Sequence, residues 1–184
     1  MSKPKYDITI HAGHNTPNKK GCGAVGILDE SKYTRKVLQV VKKKLKKHGI
    51  TYADITIENA KDSIDVLRKL QSRENNCLKK INISLHLNCF NEKAFGTEVL
   101  YKVKKPNSLK YFSSMKKNGL KKRGNIKRNT LFIMNHFKAP TFLLELGFCD
   151  NKNDCKALEK NIENVASAVT WFIIKNLKGV KKWQ

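Results

Sequence analysis

Acidic residues are scarce in this 184-residue chain: 15 Asp and Glu stand against 38 Lys and Arg, a formal net charge of +23. A merely solubilising surface on a small domain carries a net charge of roughly 2–8, so the excess points to a polyanionic partner. Nucleic acid, anionic lipid and anionic cell-wall polymer all meet that description. Arginine is scarcer still, with five (Arg35, Arg68, Arg73, Arg123, Arg128) against 33 lysines. The charge is therefore poor in the planar group that reads base edges, and suits diffuse attraction better. Paired cysteines are missing as well. Cys22, Cys77, Cys89, Cys149 and Cys155 are odd in number and scattered without a C-x-x-C pair. That argues against a disulfide framework or zinc ribbon and for reduced, mostly buried thiols. No apolar run nears the roughly 18 residues of a membrane span, and the N-terminus lacks the apolar stretch and cleavage site of a secretory signal. Synthesis in the cytoplasm without a signal peptide is the expectation. Repeats, low-complexity linkers and Pro/Gly/Ser-rich boundaries are absent too, so one domain is expected over residues 1–179, followed by a short basic tail over 180–184.

What the chain does have is a 40% hydrophobic fraction, at a length that buries roughly 70% of the unfolded surface without disulfide or structural metal. Short β-rich runs at residues 6–12, 52–57, 81–87, 97–103, 131–134 and 141–146 alternate with helical patterns. The pattern predicts a single α/β domain with a central, twisted, mostly parallel sheet of about six strands, flanked by helices on both faces. Residues 29–48 place Val37, Leu38, Val41 and Leu45 on one stripe, with acids in the first turn and basic residues in the last. Residues 63–76 turn Ile64, Leu67 and Leu70 inward, and 153–177 carry Leu158, Ile162, Val165, Val169, Phe172 and Ile173. A fourth, lysine-rich helix is expected over 108–120. From 102 to 128 there are eleven basic residues and no acid, interleaved with Tyr111 and Phe112, a candidate binding face.

Two of the five histidines fall where strands end and loops line a crevice: His14, after the first strand, and His86, at the end of the third. Two carboxylates hold comparable places. Glu30 opens the first helix, where it can also be an ordinary first-turn acid. Glu145 lies inside the very apolar run Phe142-Leu143-Leu144-Glu145-Leu146. A carboxylate there costs several kcal/mol to desolvate unless paired, metal-bound or protonated, which favours a functional role over a structural ion pair. Two imidazoles and a carboxylate from separate loops are also the ligand types a catalytic zinc uses, with one position left for water.

The local contexts carry more than the spacing. Ala12-Gly13-His14 ends the first strand, Glu30 opens the next helix, and Ser84-Leu85-His86-Leu87-Asn88 ends a central strand. Downstream come Gly96-Thr97-Glu98-Val99-Leu100-Tyr101, then Glu145-Leu146-Gly147-Phe148 followed by Asn151, Asn153 and Asp154. In this order and nearly end to end, the chain resembles the zinc-dependent N-acetylmuramoyl-L-alanine amidases of the type-3 family, found in bacterial autolysins and phage endolysins. The resemblance implies that His14, Glu30 and His86 bind one zinc ion. It implies that Glu145 is the catalytic carboxylate, taking the proton of zinc-bound water and returning it to the departing L-alanine amine. Asn88 then binds substrate or fixes its loop. Where the family has Asp three positions before the first ligand, this chain has His11, placed as a supporting or surface residue. Asp29 is an alternative to Glu30 if the helix starts later, Arg73 reads as structural, and His136 has no counterpart.

The resemblance further implies peptidoglycan as substrate, hydrolysed after release to the cell wall. With no separate wall-binding domain expected, the basic surface becomes the means of localisation, through teichoic acids and other anionic wall polymers. A monomer with no specific nucleic-acid partner is expected. A zinc peptidase cutting within the stem peptide, and a basic nucleic-acid-binding protein, are the alternatives.

Overall fold

The computed structural model describes residues 2–178 and 180; beyond Val180 the tail expected over 180–184 lies outside the described residues. Six strands form one sheet: β1 (Ile8–Ala12), β2 (Tyr52–Asp54), β3 (Ile81–Asn88), β4 (Thr97–Tyr101), β5 (Lys122–Lys127) and β6 (Thr141–Phe148). Their order is β2-β1-β3-β6-β4-β5. The first four in that order are parallel, while β4 runs antiparallel to β6 and parallel to β5.

Period-2 alternation assigns the two faces of the sheet. On β3, Ile81, Ile83, Leu85 and Leu87 enter the larger core, formed with α1 (Glu30–Lys47), α3 (Leu109–Lys117), α5 (Lys152–Lys160) and α6 (Ile162–Leu177). Leu143 of β6 and Leu100 of β4 face the other way, into a smaller core built with α2 (Ser63–Asn75) and α4 (Phe132–His136). The expected architecture of helices on both faces of a mostly parallel sheet is thus present. A buried ion pair fastens the smaller layer: Glu74 Oε1 lies 2.6 Å from Lys79 Nζ, both side chains essentially out of solvent. The same oxygen accepts from the Lys138 backbone N–H at 3.0 Å, so the end of α2, the start of β3 and the approach to β6 meet there. Among the described residues no helix is long and apolar enough to cross a membrane.

Several expectations are corrected. Residues 131–134 are the N-cap and first turn of the short helix α4, not a strand, and the sixth strand is instead the lysine-bearing edge strand β5. The helix expected over 153–177 is two helices, because Asn161 leaves helical geometry (φ −156°, ψ 85°) and its side chain accepts from Asn164 N–H to cap α6. On α2 it is Val66 and Leu70 that are buried, whereas Ile64 is 60% exposed. Tyr111 and Phe112 are core residues, so the basic stretch presents no aromatic face. The thiols are free, with Cys77, Cys149 and Cys155 buried, Cys22 partly so, and Cys89 exposed.

Candidate metal centre and catalytic carboxylate

Parallel strands bring their carboxyl ends to one edge of a sheet, and His14, Glu30 and His86 gather at that edge. The Gly13 N–H, just past β1, donates to the Leu85 carbonyl at 2.8 Å, which lays the loop against β3. His14 then turns back with φ 65°, a left-handed conformation uncommon outside glycine. Asp29 is the N-cap of α1, its carboxylate accepting from Lys32 N–H at 2.9 Å, which leaves Glu30 to point into the crevice. His86 shares the β3 face of Asn82 and Ser84.

These three side chains meet. His14 Nε2 and Glu30 Oε1 are 3.1 Å apart, His86 Nδ1 and Glu30 Oε1 2.9 Å, and His86 Nδ1 and His14 Nε2 3.1 Å. Two imidazole nitrogens and a carboxylate oxygen converging from three separate elements are the donor set of a three-ligand zinc site, and the residues fit such an ion. Glu30 is 97% buried and further held by the backbone N–H groups of Ala24 (3.0 Å) and Leu87 (3.1 Å). Burial pushes its carboxyl up, but hydrogen bonds and charge from His14 and His86 outweigh that and hold it far below the ordinary carboxylate range. Burial lowers the imidazole of His86, with Glu30 opposing. Both directions favour the forms in which a carboxylate and a neutral imidazole can bind a cation.

Glu145 stands beside this group. On neighbouring strands it is the register partner of His86 in β3 and of Glu98 in β4. Its Oε2 is buried without a hydrogen-bond partner. Burial first, then the negative charges of Glu30 and Glu98, push its carboxyl well above the usual range. Asn88 lies at the end of the same strand as His86, donating from Nδ2 to Glu98 Oε1 at 3.3 Å and accepting from Cys89 N–H at 2.9 Å. An apolar cavity of about 230 Å³ adjoins His14 and His86, walled by Leu67, Leu70, Phe132 and Leu143.

The structure thus brings His14, Glu30, His86, Glu145 and Asn88 to one crevice and leaves the other candidates out of the ligand group. His11 is buried on β1, its Nε2 unpartnered, and burial pushes its imidazole down to about 3, so it is neutral. Arg73 is structural, donating to the Thr56 carbonyl. His136 stacks on Phe132 at the surface. Downstream, Asn151 caps α5, and Asp154 Oδ2 accepts from Gly96 N–H (2.7 Å) and Phe148 N–H (2.9 Å), tying β4 to β6.

Three residues that sequence reasoning quoted without a role support the site. Ser84 Oγ lies 2.9 Å from His86 Nε2, on the nitrogen opposite the one facing Glu30. Period 2 along a strand was the available signal, since it places Ser84 and His86 on one face. Glu98 pairs with Arg123 at 2.6 Å and adds negative charge beside Glu145. Gly13, likewise quoted without a role, packs against the ligand: a Cβ there would lie 2.2 Å from His86 Cε1.

The family profile described as N-acetylmuramoyl-L-alanine amidase matches residues 8–175. Among solved structures, the catalytic domain of an endolysin targeting Clostridium difficile is 27% identical, with a TM-score of 0.80 over 92% of this chain and 97% of that one. The catalytic domain of CwlV, an N-acetylmuramoyl-L-alanine amidase from Bacillus (Paenibacillus) polymyxa, is 22% identical, with a TM-score of 0.71 over 97% of this chain and 99% of that one. The amidase Ami1 from Mycobacterium smegmatis is 18% identical, at a TM-score of 0.73 over 96% and 99% of the two chains. No protein of curated function matches the chain. With the profile covering the whole sheet and every element that reaches the crevice, the chain belongs to the N-acetylmuramoyl-L-alanine amidase family.

Proposed function

We propose that the protein is a zinc-dependent peptidoglycan amidase in which His14, Glu30 and His86 hold the ion and Glu145 moves the proton. The scissile bond is the amide between the lactyl carbonyl of N-acetylmuramic acid and the amine of L-alanine. The observation that carries the reading is the convergence of three ligand atoms within 4.8 Å of one another, beside a buried carboxyl with a free oxygen. Bound zinc supplies a Lewis acid for the scissile carbonyl and the attacking water. Glu30 brings negative charge to the ion's position and, through the N–H groups of Ala24 and Leu87, a fixed orientation. Glu145 has a free oxygen and the raised proton affinity of a shuttle: as the carboxylate, the form that the positive charge of a bound ion would favour, it takes a proton from the water as the new carbon–oxygen bond forms. It gives that proton to the alanine nitrogen as the carbon–nitrogen bond breaks. Asn88, tethered to Glu98, offers an amide to the substrate or the loop around it.

Wall association falls, in this reading, to the lysine-rich surface. Lys105, Lys110, Lys116, Lys117, Lys121 and Lys122 are exposed on α3, β5 and the loops around them. Anionic wall polymers such as teichoic acids are the fitting partners. Exposed charges are screened over about 8 Å at physiological ionic strength, so wall binding should fall steeply between low and physiological salt. Salt-independent binding refutes this part of the proposal.

The experiment for the chemistry is digestion of purified Gram-positive peptidoglycan with and without a chelator, identifying each new amino terminus. Chelator-sensitive N-terminal L-alanine, lost in Glu145→Gln, is the expected result. A different new terminus moves the cut into the stem peptide, and none at all refutes the hydrolase reading.

A further inference from the structure

A second group of metal-binding side chains lies past the carboxyl ends of the same two central strands. Cys89 follows β3, Cys149 and Asp150 follow β6, and two sulfurs and a carboxylate oxygen lie within 4.8 Å of one another. Backbone pairing sets up the encounter. Asn88 and Phe148 are register partners, and the Cys149 N–H donates to the Asn88 carbonyl at 2.8 Å. The carboxylate of Asp150 takes its backbone hydrogen bonds through one oxygen only, and the Cys89 thiol adds a side-chain interaction. Its Oδ2 accepts from the backbone N–H groups of Phe90 and Glu92, each at 3.0 Å, whereas Oδ1 is buried and has no hydrogen-bond partner. A buried, unpaired carboxylate oxygen calls for a ligand. Cys89 is exposed and opens a path from solvent, while Cys149 is fully buried.

We propose that Cys89, Cys149 and Asp150 form a second cation site, separate from the His14–Glu30–His86 group, for a thiophilic divalent ion such as Zn²⁺ or Cd²⁺. Two thiolates and one carboxylate select a soft or borderline ion over Mg²⁺ or Ca²⁺ and leave a fourth, tetrahedral position to solvent. Burial raises the Cys149 thiol, and partial desolvation with the negative charge of Asp150 raises that of Cys89, so without the ion both stand protonated. Binding breaks both S–H bonds and sends two protons to solvent, leaving three ligand charges against the ion's two. The Phe90 and Glu92 N–H groups hold the carboxylate from behind, as a ligand's own hydrogen bonds do in built metal sites. Because His86 and Glu145 precede these ligands by only a few residues, an ion here braces the strand pair that carries them.

The test is a Cd²⁺ titration of the full, metal-stripped chain under reductant, followed by thiolate-to-cadmium charge-transfer absorbance, with bound metal counted by equilibrium dialysis. The expected result is two ions per chain in the wild type, one of them accounting for the thiolate absorbance. The absorbance should persist in His14→Ala/His86→Ala and vanish in Cys89→Ser, where the count drops to one. Cys89 is exposed, so its replacement leaves the core intact; Asp150→Asn, checked for fold by circular dichroism, should weaken the same signal. An absorbance unchanged in Cys89→Ser overturns the proposal. So does a wild-type chain that binds one ion and loses it with the histidines, or a Cys89–Cys149 disulfide that survives reduction.

Discussion

Replacing Ser84 by Ala isolates what orients a ligand from the ligand itself. Ser84 is fully buried on β3, and its Oγ sits 2.9 Å from His86 Nε2. For the lone pair of His86 Nδ1 to face the cation, the ring proton must be on Nε2, where it donates to that hydroxyl. Without Ser84 the tautomer and the ring angle lose their anchor. Loss of such a supporting partner typically weakens metal binding by roughly 10–100-fold, which is about 1.4–2.8 kcal/mol at 1.4 kcal/mol per decade. The cost to the fold is smaller: one neutral buried hydrogen bond, about 1 kcal/mol, or a fall in Tm of roughly 2–4 °C in a domain of this size. Zinc affinity measured by competition with a chromophoric chelator, beside a thermal melt of the metal-free protein, separates the two. A Ser84→Ala variant that melts near the wild type yet binds zinc with undiminished affinity refutes the orienting role.

Gly13→Ala drives a Cβ into the His86 ring, so the variant should lose zinc from the histidine site while keeping its far-ultraviolet circular dichroism; a metal content equal to wild type would contradict the packing argument. Glu145→Gln should retain zinc but abolish release of N-terminal L-alanine, and in the metal-free protein it should also stabilise the fold at neutral pH. The sign follows from the raised carboxyl: above its ordinary value of 4.5 the unfolded chain gives up a proton that the folded chain keeps, so wild-type stability falls with rising pH. Urea midpoints at pH 4 and pH 8 that differ equally for wild type and variant would speak against it. Glu74→Ala leaves the buried Lys79 ammonium with its bonds to the residue-74 and Cys77 carbonyls but no counter-charge, and should cost about 3–5 kcal/mol, read as a lower urea midpoint; a cost under about 1 kcal/mol would show that the carbonyls suffice.

The central strands and α1 were legible in the sequence because burial on both faces writes itself as continuous apolar runs, and α1 shows both a capped start and a single stripe. The site was legible for a related reason. His14, Glu30, His86 and Glu145 interrupt or end apolar segments, where a polar side chain is expensive, and so they stand out. β5 escaped because an edge strand needs no apolar alternation: its Lys122, Arg123 and Lys127 face solvent and keep the edge from pairing with other chains. The run at 131–134 misled because four apolar residues fit a buried helical turn as well as a strand. The break at Asn161 falls between two stretches with compatible stripes, and only the asparagine cap betrays it. Ser84 and Glu98 lay in quoted motifs, but what each one touches is set by strand register, which no local pattern encodes.

The strand order has a consequence for how the molecule comes into being. β3 and β4 are consecutive in sequence, yet β6 separates them in the sheet. Until residues 141–148 are synthesised and inserted, β3 and β4 each present an unpaired edge toward the gap. Those edges can recruit another chain during translation. The same insertion brings Glu145 to His86 across about a third of the polypeptide's length, a non-local pairing that closes slowly. Ribosome-bound or truncated chains that stop short of β6 therefore lack Glu145 as well as the centre of the sheet, so the side chain proposed to move the proton arrives with the strand that protects the fold from aggregation.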